Sequence, residues 1–331
     1  MVVIPAEAGI QFLTGILGSA SEGTTSASFA AVAFKGSSMY FSKLEGLGND
    51  FLVISAEEAR EKNVSGLAQR ICDRHYGIGA DGLLTYSKED PTGGSDFGMR
   101  IFNADGGEAE LSGNGLRCLA AFLFAERLAQ KTVVRIATQA GLKVLQLTHS
   151  SPPEYWFEVD MGEPILDRSQ IAFEPASRSA SLIGFELPVG GETHLVTISS
   201  MGNPHCSLFV NQFSDVDWEH LGNQIEIHPF FPSRTNVEFI RVRSRNEIDV
   251  RFWERGVGKT FSSGTGSCAA MVASVLNGCT DRNVRIHTLG GSLEIEWKEN
   301  NRLQLTGPAR WICSGNYAGW ATVPRDRAVF G

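Results

Sequence analysis

The sequence has no C-x-x-C pair and no Cys/His spacing of a metal-binding kind. Its six cysteines stand apart at 72, 118, 206, 268, 279 and 313. In a chain of this length that scatter fits reduced thiols in a cytoplasmic protein better than a disulfide framework. No apolar run approaches the roughly 20 residues of a membrane-spanning helix, so no membrane partner is expected. Basic residues are short: 29 Lys and Arg stand against 37 Asp and Glu, and the net charge of −8 argues against nucleic acid as a partner. The opening stretch lacks positive charge altogether before Lys35, and Glu7 comes first, which is not the order of a secretory signal. Residues 1–38, rich in Gly, Ala, Ser and Thr, read as an extension that is poorly ordered or non-native, with Met39 as a candidate start. A short leading strand is the competing reading.

What is present is a globular chain of 331 residues, 42% hydrophobic and 20% charged, long enough for two domains. It is organised around residues 102–118, which carry Asn103, Asp105 and the run Ser112, Gly113, Asn114, Gly115. From Leu116 to Leu128 there is no Gly or Pro and most residues are apolar, which predicts a helix. The Ser-Gly-Asn-Gly turn therefore sits at a helix N-terminus, where backbone N–H groups lack intrahelical partners and the helix dipole favours an anion. The device recurs about 150 residues later. Ser263, Gly264, Thr265 and Gly266 precede an apolar run ending at Leu276, and Asn277-Gly278 supplies the stop. One such turn is compatible with an ordinary capped loop. Two of them suggest a duplicated architecture whose paired helix starts clamp a small carboxylate.

Along the chain, 39–54 reads as strand, Gly-rich turn and strand, with Asn49 in the turn. Residues 57–74 read as an amphipathic helix. The glycine-dense segment 76–82 lacks the strand-to-helix context of a dinucleotide fingerprint. Strands are expected at 83–86, 97–102, twice within 131–147, and at 156–161, with a domain crossing near 157–162. In the second half, 195–200 leads into a tight turn expected to expose Asn203 and His205. Residues 218–223 look helical, Asn236 stands near the start of a strand, and Glu254-Arg255 closes another. Three late strands follow. Strands far outnumber helices, and each half has one principal apolar helix. The expected class is α/β of the α+β kind: two pseudo-symmetric domains, each a rolled, mostly antiparallel sheet around a central helix. The divisions are 39–158 and 159–311, with 312–331 returning to the first.

These segments resemble the diaminopimelate epimerase family. The matching stretches are 46–51, 77–82, 102–106, 112–118, 201–205, 235–237, 254–256 and 264–266, collinear and spanning roughly 40 to 315. The resemblance implies a cofactor-free homodimer that acts on a small zwitterionic amino acid, inverting the α-carbon of diaminopimelate for lysine and peptidoglycan biosynthesis. It places Asn49, Asn103, Asn203, Asn236, Glu254 and Arg255 on the substrate, and the backbone of Gly113, Asn114, Gly264 and Thr265 on its α-carboxylate. His205 is a possible supporting residue.

The departure lies at the chemistry. The family pattern puts a cysteine before each Gly-x-Gly, one serving as base and the other as acid. Here Ser112 and Ser263 stand at those catalytic positions. A thiol ionises near pH 8.5 and lower at a helix start, whereas a serine hydroxyl does not ionise there. Cys118 and Cys268 fall inside the helices as buried small hydrophobes. Lys259 also stands where an acidic residue is usual in the family. Three readings follow: an epimerase with impaired proton transfer, a non-thiol isomerase similar to the phenazine-biosynthesis enzymes with Glu45, Asp50, Asp105 or Glu108 as base, or a binding protein without turnover. A serine hydrolase is disfavoured, since neither serine lies in G-x-S-x-G.

Overall fold

A computed structural model describes residues 38–59, 63–89, 94–175 and 181–318. The expectation for residues 1–38 therefore falls, up to residue 37, outside the described residues, as does that for 319–331.

The first half runs β1 (Met39–Gly46), β2 (Asn49–Ser55), α1 (Val64–Ile71), β3 (Gly82–Lys88), β4 (Phe97–Asn103), β5 (Glu108–Ala109), α2 (Gly113–Ala125), β6 (Val133–Thr138), β7 (Gly141–Ser151) and β8 (Glu154–Gly162). The second runs β9 (Phe185–Val189), β10 (Glu192–Ser200), β11 (Pro204–Phe209), α3 (Trp218–Glu226), β12 (Asn236–Ser244), β13 (Glu247–Glu254), β14 (Gly258–Thr260), α4 (Gly264–Leu276), β15 (Asn283–His287), β16 (Ser292–Trp297) and β17 (Leu303–Tyr317).

Pairing repeats between the halves. In the first, β1–β2 is antiparallel, β2–β3 parallel, β3–β4 antiparallel, β4–β6 parallel, and β6–β7–β8 antiparallel. In the second, β10–β11, β11–β12, β12–β13, β13–β15 and β15–β16–β17 follow the same alternation. Each parallel step needs a crossover, and a helix supplies it each time: α1 and α3 at the first step, α2 and α4 at the second. The long β17 joins the halves. Residues 303–306 pair with β16, residues 303–310 with β8, and residues 310–317 with β1, so the first half closes as an eight-strand barrel.

The barrel closes around α2. Residues from Asn114 to Leu123 on this helix are all buried, as expected of a helix apolar on every side. They pack with Leu44, Leu84, Ile101, Ile136 and Phe157 from the surrounding strands. In the second half α4 has the same place, buried from Gly266 to Ser274 among Ile240, Val250, Ile286 and Leu305. The sequence-predicted fold is therefore the observed one: mixed α and β, dominated by sheet, with one central helix per half. One element differs. The helix expected over 57–74 is only Val64–Ile71, because the N–H of Ala56 bonds the Tyr86 carbonyl of β3 at 2.7 Å and Asn63 caps the helix start through Gly66 N–H at 2.8 Å.

Candidate active site

Both Ser-Gly-x-Gly turns fold alike. Ser112 is extended at φ −139° and ψ 123°, and its Oγ accepts from the N–H of Gly115 at 3.1 Å. Ser263 is extended at φ −134° and ψ 126°, and its Oγ accepts from the N–H of Gly266 at 3.3 Å. The first helical bonds run from Leu116 N–H to the Ser112 carbonyl and from Ser267 N–H to the Ser263 carbonyl. The N–H groups of Gly113 and Asn114 on α2, and of Gly264 and Thr265 on α4, are left with no intrahelical acceptor. Both serine hydroxyls thus act as N-caps, and α2 and α4 touch each other across the molecule.

A cavity of about 600 Å³ opens between the halves. Asn49, Arg74, Asp81 and Asn103 line it from the first half; Glu254, Phe261 and Ser262 line it from the second. Each capped turn borders it through a neighbour. Asn114 Nδ2 donates to Asn49 Oδ1 at 3.4 Å, and Ser262, whose buried hydroxyl has no hydrogen-bond partner among the described residues, precedes Ser263. Asn49 is brought there by the two-residue turn Leu47-Gly48, in which both residues have positive φ, as this tight hairpin requires.

The first-half wall is an ordered polar chain. Asn49 Nδ2 donates to Asp81 Oδ2 at 2.7 Å, and Arg74 bridges Asp81 Oδ1 at 2.7 Å and Asp50 Oδ1 at 2.8 Å. At its other end Arg117 Nη2 donates to Asn114 Oδ1 at 2.5 Å, and Arg117 Nε donates to the Pro308 carbonyl at 3.1 Å. Arg117 is 1% exposed and no carboxylate pairs with it among the described residues. Burial accordingly pulls its guanidinium down to about 10. A guanidinium only donates, so Arg117 fixes which way the Asn114 amide faces, and Asn114 in turn fixes Asn49.

On the second-half wall, Glu254 Oε1 accepts from Thr260 Oγ1 at 2.6 Å, and the Ser263 hydroxyl lies near this carboxylate. Burial raises the Glu254 carboxyl above the usual carboxylate range, against the lowering effect of these hydroxyls. His205 was expected exposed at the tip of a turn; it is instead fully buried on β11. Its Nδ1 faces Glu238 Oε1 at 2.6 Å and its Nε2 faces Asn203 Oδ1 at 3.0 Å. Pairing of β11 with β12 places Glu238 two residues along from His205's own partner, Asn236, a juxtaposition absent from the local sequence. The Asn236 amide is taken up internally, accepting from Arg255 N–H at 3.0 Å and donating to the Pro204 carbonyl at 3.0 Å. The exposed Arg255 side chain donates to the Ser233 carbonyl at 3.0 Å. Lys259 pairs with Glu219 at 2.7 Å and lies over the Trp218 ring.

The structure therefore gathers Asn49, Asn103 and Glu254 on one cavity, with Asn114 bonded to Asn49 and Ser263 following the lining residue Ser262. Asn236 and Arg255 shape the turn that carries Glu254. Sequence reasoning missed Arg74, Ser262 and the role of Asp81, although Asp81 lay inside a quoted motif; only the fold sets Asp81 beside Asn49. Of the acids considered as alternative bases, Glu45 accepts from Gly48 N–H, Asp105 from Gly107 N–H, and Glu108 forms a two-pronged pair with Arg100 that lowers its carboxyl. Asp50 is held at about 2: burial pushes it up, but Arg74 and Lys43 prevail. Cys118 and Cys268 are fully buried, and burial pushes both thiols upward. No group of three or more His, Cys, Asp or Glu gathers as a metal site among the described residues.

The family model described as diaminopimelate epimerase matches residues 41–166 and 197–312. A diaminopimelate epimerase of Pelotomaculum thermopropionicum is 45% identical over 84% of this chain and 99% of its own length. One from Methanococcus maripaludis is 39% identical over 84% and 99%. Among solved structures, a phenazine biosynthesis protein of the PhzF family from Bacillus anthracis superposes with a TM-score of 0.60 at 16% identity, covering 85% of this chain and 99% of the other. A hydroxyproline epimerase from Agrobacterium vitis gives 0.58 at 13% identity, covering 85% and 92%. The two structural likenesses concern the fold; the sequence match extends over both halves and both capped turns, and on that ground the chain belongs to the diaminopimelate epimerase family.

Proposed function

We propose that this chain holds diaminopimelate in the cavity between its halves and acts on it as a cofactor-independent isomerase that inverts the α-carbon. One arrangement supports the reading: two helix starts, each with two N–H groups free of intrahelical partners, adjoin through Asn49 and Ser262 one cavity whose walls supply amides and a carboxylate. The N–H groups suit a carboxylate and Glu254 suits an ammonium, so an amino acid fits by charge at both ends. The names of the relatives narrow the amino acid to diaminopimelate. Incubation of LL-diaminopimelate with the protein, followed by chiral chromatography, tests it: the meso form accumulates under this reading, and a trace identical to the protein-free control counts against it.

A second reading has its own support. Both serine hydroxyls accept from their own helices, and neither is an ionisable thiol. A protein that binds diaminopimelate with very slow turnover fits this observation, and calorimetry beside the turnover assay separates the two. The six unpaired cysteines among the described residues fit a cytoplasmic setting, and the resemblance points to a homodimer, which light scattering in solution tests. No described helix is long and apolar enough to cross a membrane.

A further inference from the structure

Arg117 is a cation whose counter-charge the described residues do not supply. Its side chain is buried, and no carboxylate pairs with it among them. The acid whose charge reaches it, Glu45, accepts from the N–H of Gly48 instead. Even pulled down to about 10, the guanidinium is charged at neutral pH. An unpaired buried cation is costly, which calls for a partner from outside the chain. Two of its nitrogens are engaged, Nε with the Pro308 carbonyl and Nη2 with Asn114 Oδ1, and Nη1 has no hydrogen-bond partner among the described residues. A β-carbon built on Gly113 would stand 3.9 Å from Nη1 and meet nothing else within 4 Å. Gly113 opens α2, so the absent side chain leaves Nη1 open beside the free N–H groups of that helix start. Gly307 crowds the guanidinium elsewhere: a β-carbon there would stand 3.2 Å from Nε and 3.3 Å from Cζ. The α4 start is built differently. Arg117 stands five residues after Ser112, whereas five after Ser263 stands Cys268. A carboxylate oxygen, Glu238 Oε1, lies 3.1 Å from where a β-carbon on Gly266 would be.

We propose that Arg117 Nη1 and the N–H groups of Gly113 and Asn114 form an oxyanion site in their own right, which takes a small inorganic dianion such as sulfate and in which Arg117 is the counter-ion of the ligand's carboxylate. A tetrahedral oxyanion offers separate oxygens to the guanidinium and to the helix start, so charge-assisted bonds form on both. The site belongs to α2 and not to α4, because only α2 has a cation beneath its first turn. Inorganic oxyanions therefore compete with diaminopimelate for the same donors. That competition rests on the reading that diaminopimelate places a carboxylate at this helix start; the oxyanion site does not.

The experiment titrates the full chain with sodium sulfate by calorimetry, at an ionic strength held constant with chloride, and then titrates diaminopimelate with and without sulfate. The wild type is expected to bind one sulfate per chain, and sulfate to raise the apparent Kd for diaminopimelate in step with its concentration. Arg117→Met is expected to bind sulfate about tenfold or more weakly, and Arg117→Lys to recover part of the loss. Gly113→Val keeps Arg117 and its two bonds but lays a side chain over Nη1, and it is expected to weaken sulfate binding as well. This second variant keeps the test sound if Arg117→Met folds poorly. A wild type that gives no heat beyond the chloride control overturns the proposal, as does sulfate affinity unchanged in both variants. Sulfate binding that needs Arg117 yet leaves the diaminopimelate affinity unaltered overturns the shared site. A wild type that binds sulfate and not diaminopimelate upholds the oxyanion site and overturns the diaminopimelate reading.

Discussion

The Leu47 carbonyl oxygen occupies the space that a β-carbon on Gly290 would need. Leu47 belongs to the first-half turn that carries Asn49, and Gly290 to the loop between β15 and β16 of the second half. Leu47 adopts a φ of +55°, unfavourable for a branched side chain, and is 4% exposed among second-half residues such as Ile248 and Leu293. The turn is thus pressed onto the opposite half, and this sets Asn49 across from Glu254. Gly290→Ala is expected to push the turn away, costing about 1–3 kcal/mol of stability and weakening diaminopimelate binding at least tenfold. Denaturant unfolding with calorimetry checks both; wild-type affinity in that variant would mean the turn does not position the site.

Arg117 is a second point of support. Replacement by Met leaves Asn114 Oδ1 and the Pro308 carbonyl without their donor, at a cost of about 2 kcal/mol. It also removes a buried cation beneath the turn where the carboxylate is proposed to bind. Affinity for diaminopimelate should fall, and Arg117→Lys should recover part of it. Equal affinities for all three proteins would show that the buried charge has no part in binding.

The two serines give a paired prediction. Ser112→Ala and Ser263→Ala each lose an N-cap and about 1 kcal/mol of stability. The double replacement by Cys puts ionisable thiols at helix N-termini, where the dipole lowers their pKa. Inversion of LL-diaminopimelate should then rise by about 100-fold or more. Chiral chromatography of the reaction measures it, and no gain over the serine protein would mean that the loops do not face the α-carbon.

Acid should loosen the first-half wall. Asp50 is held at about 2 in the folded protein, below its unfolded value of about 3.9. A depressed carboxylate stabilises the fold above the unfolded value, and that contribution disappears as the pH falls through about 2. It amounts to about 2 kcal/mol. Urea unfolding of wild type and Asp50→Asn between about pH 6 and pH 2 should show the wild type losing this extra stability below about pH 4. The variant should lack it throughout. Parallel curves would assign the acid sensitivity to other groups.

Much of this was legible in the sequence. Two Ser-Gly-x-Gly turns before apolar runs gave the duplicated halves and their central helices, because caps and helix periodicity are local. His205 was misplaced because its burial depends on Glu238, 33 residues on, reached only through the parallel pairing of β11 and β12. The helix over 57–74 was overextended because Ala56, just before it, is bonded to β3 by a non-local bond and Asn63 caps a later start. The Asn49, Asp81 and Arg74 chain joins residues that neither spacing nor composition connects.

The most direct test is a crystal structure of the protein with diaminopimelate bound. The account predicts one ligand per chain in the cavity between the halves, with one carboxylate within hydrogen-bond distance of the N–H groups of Gly113, Asn114, Gly264 and Thr265, and with Glu254 beside the same amino-acid centre. A ligand carboxylate engaged by one helix start alone, or a ligand bound outside that cavity, would contradict it.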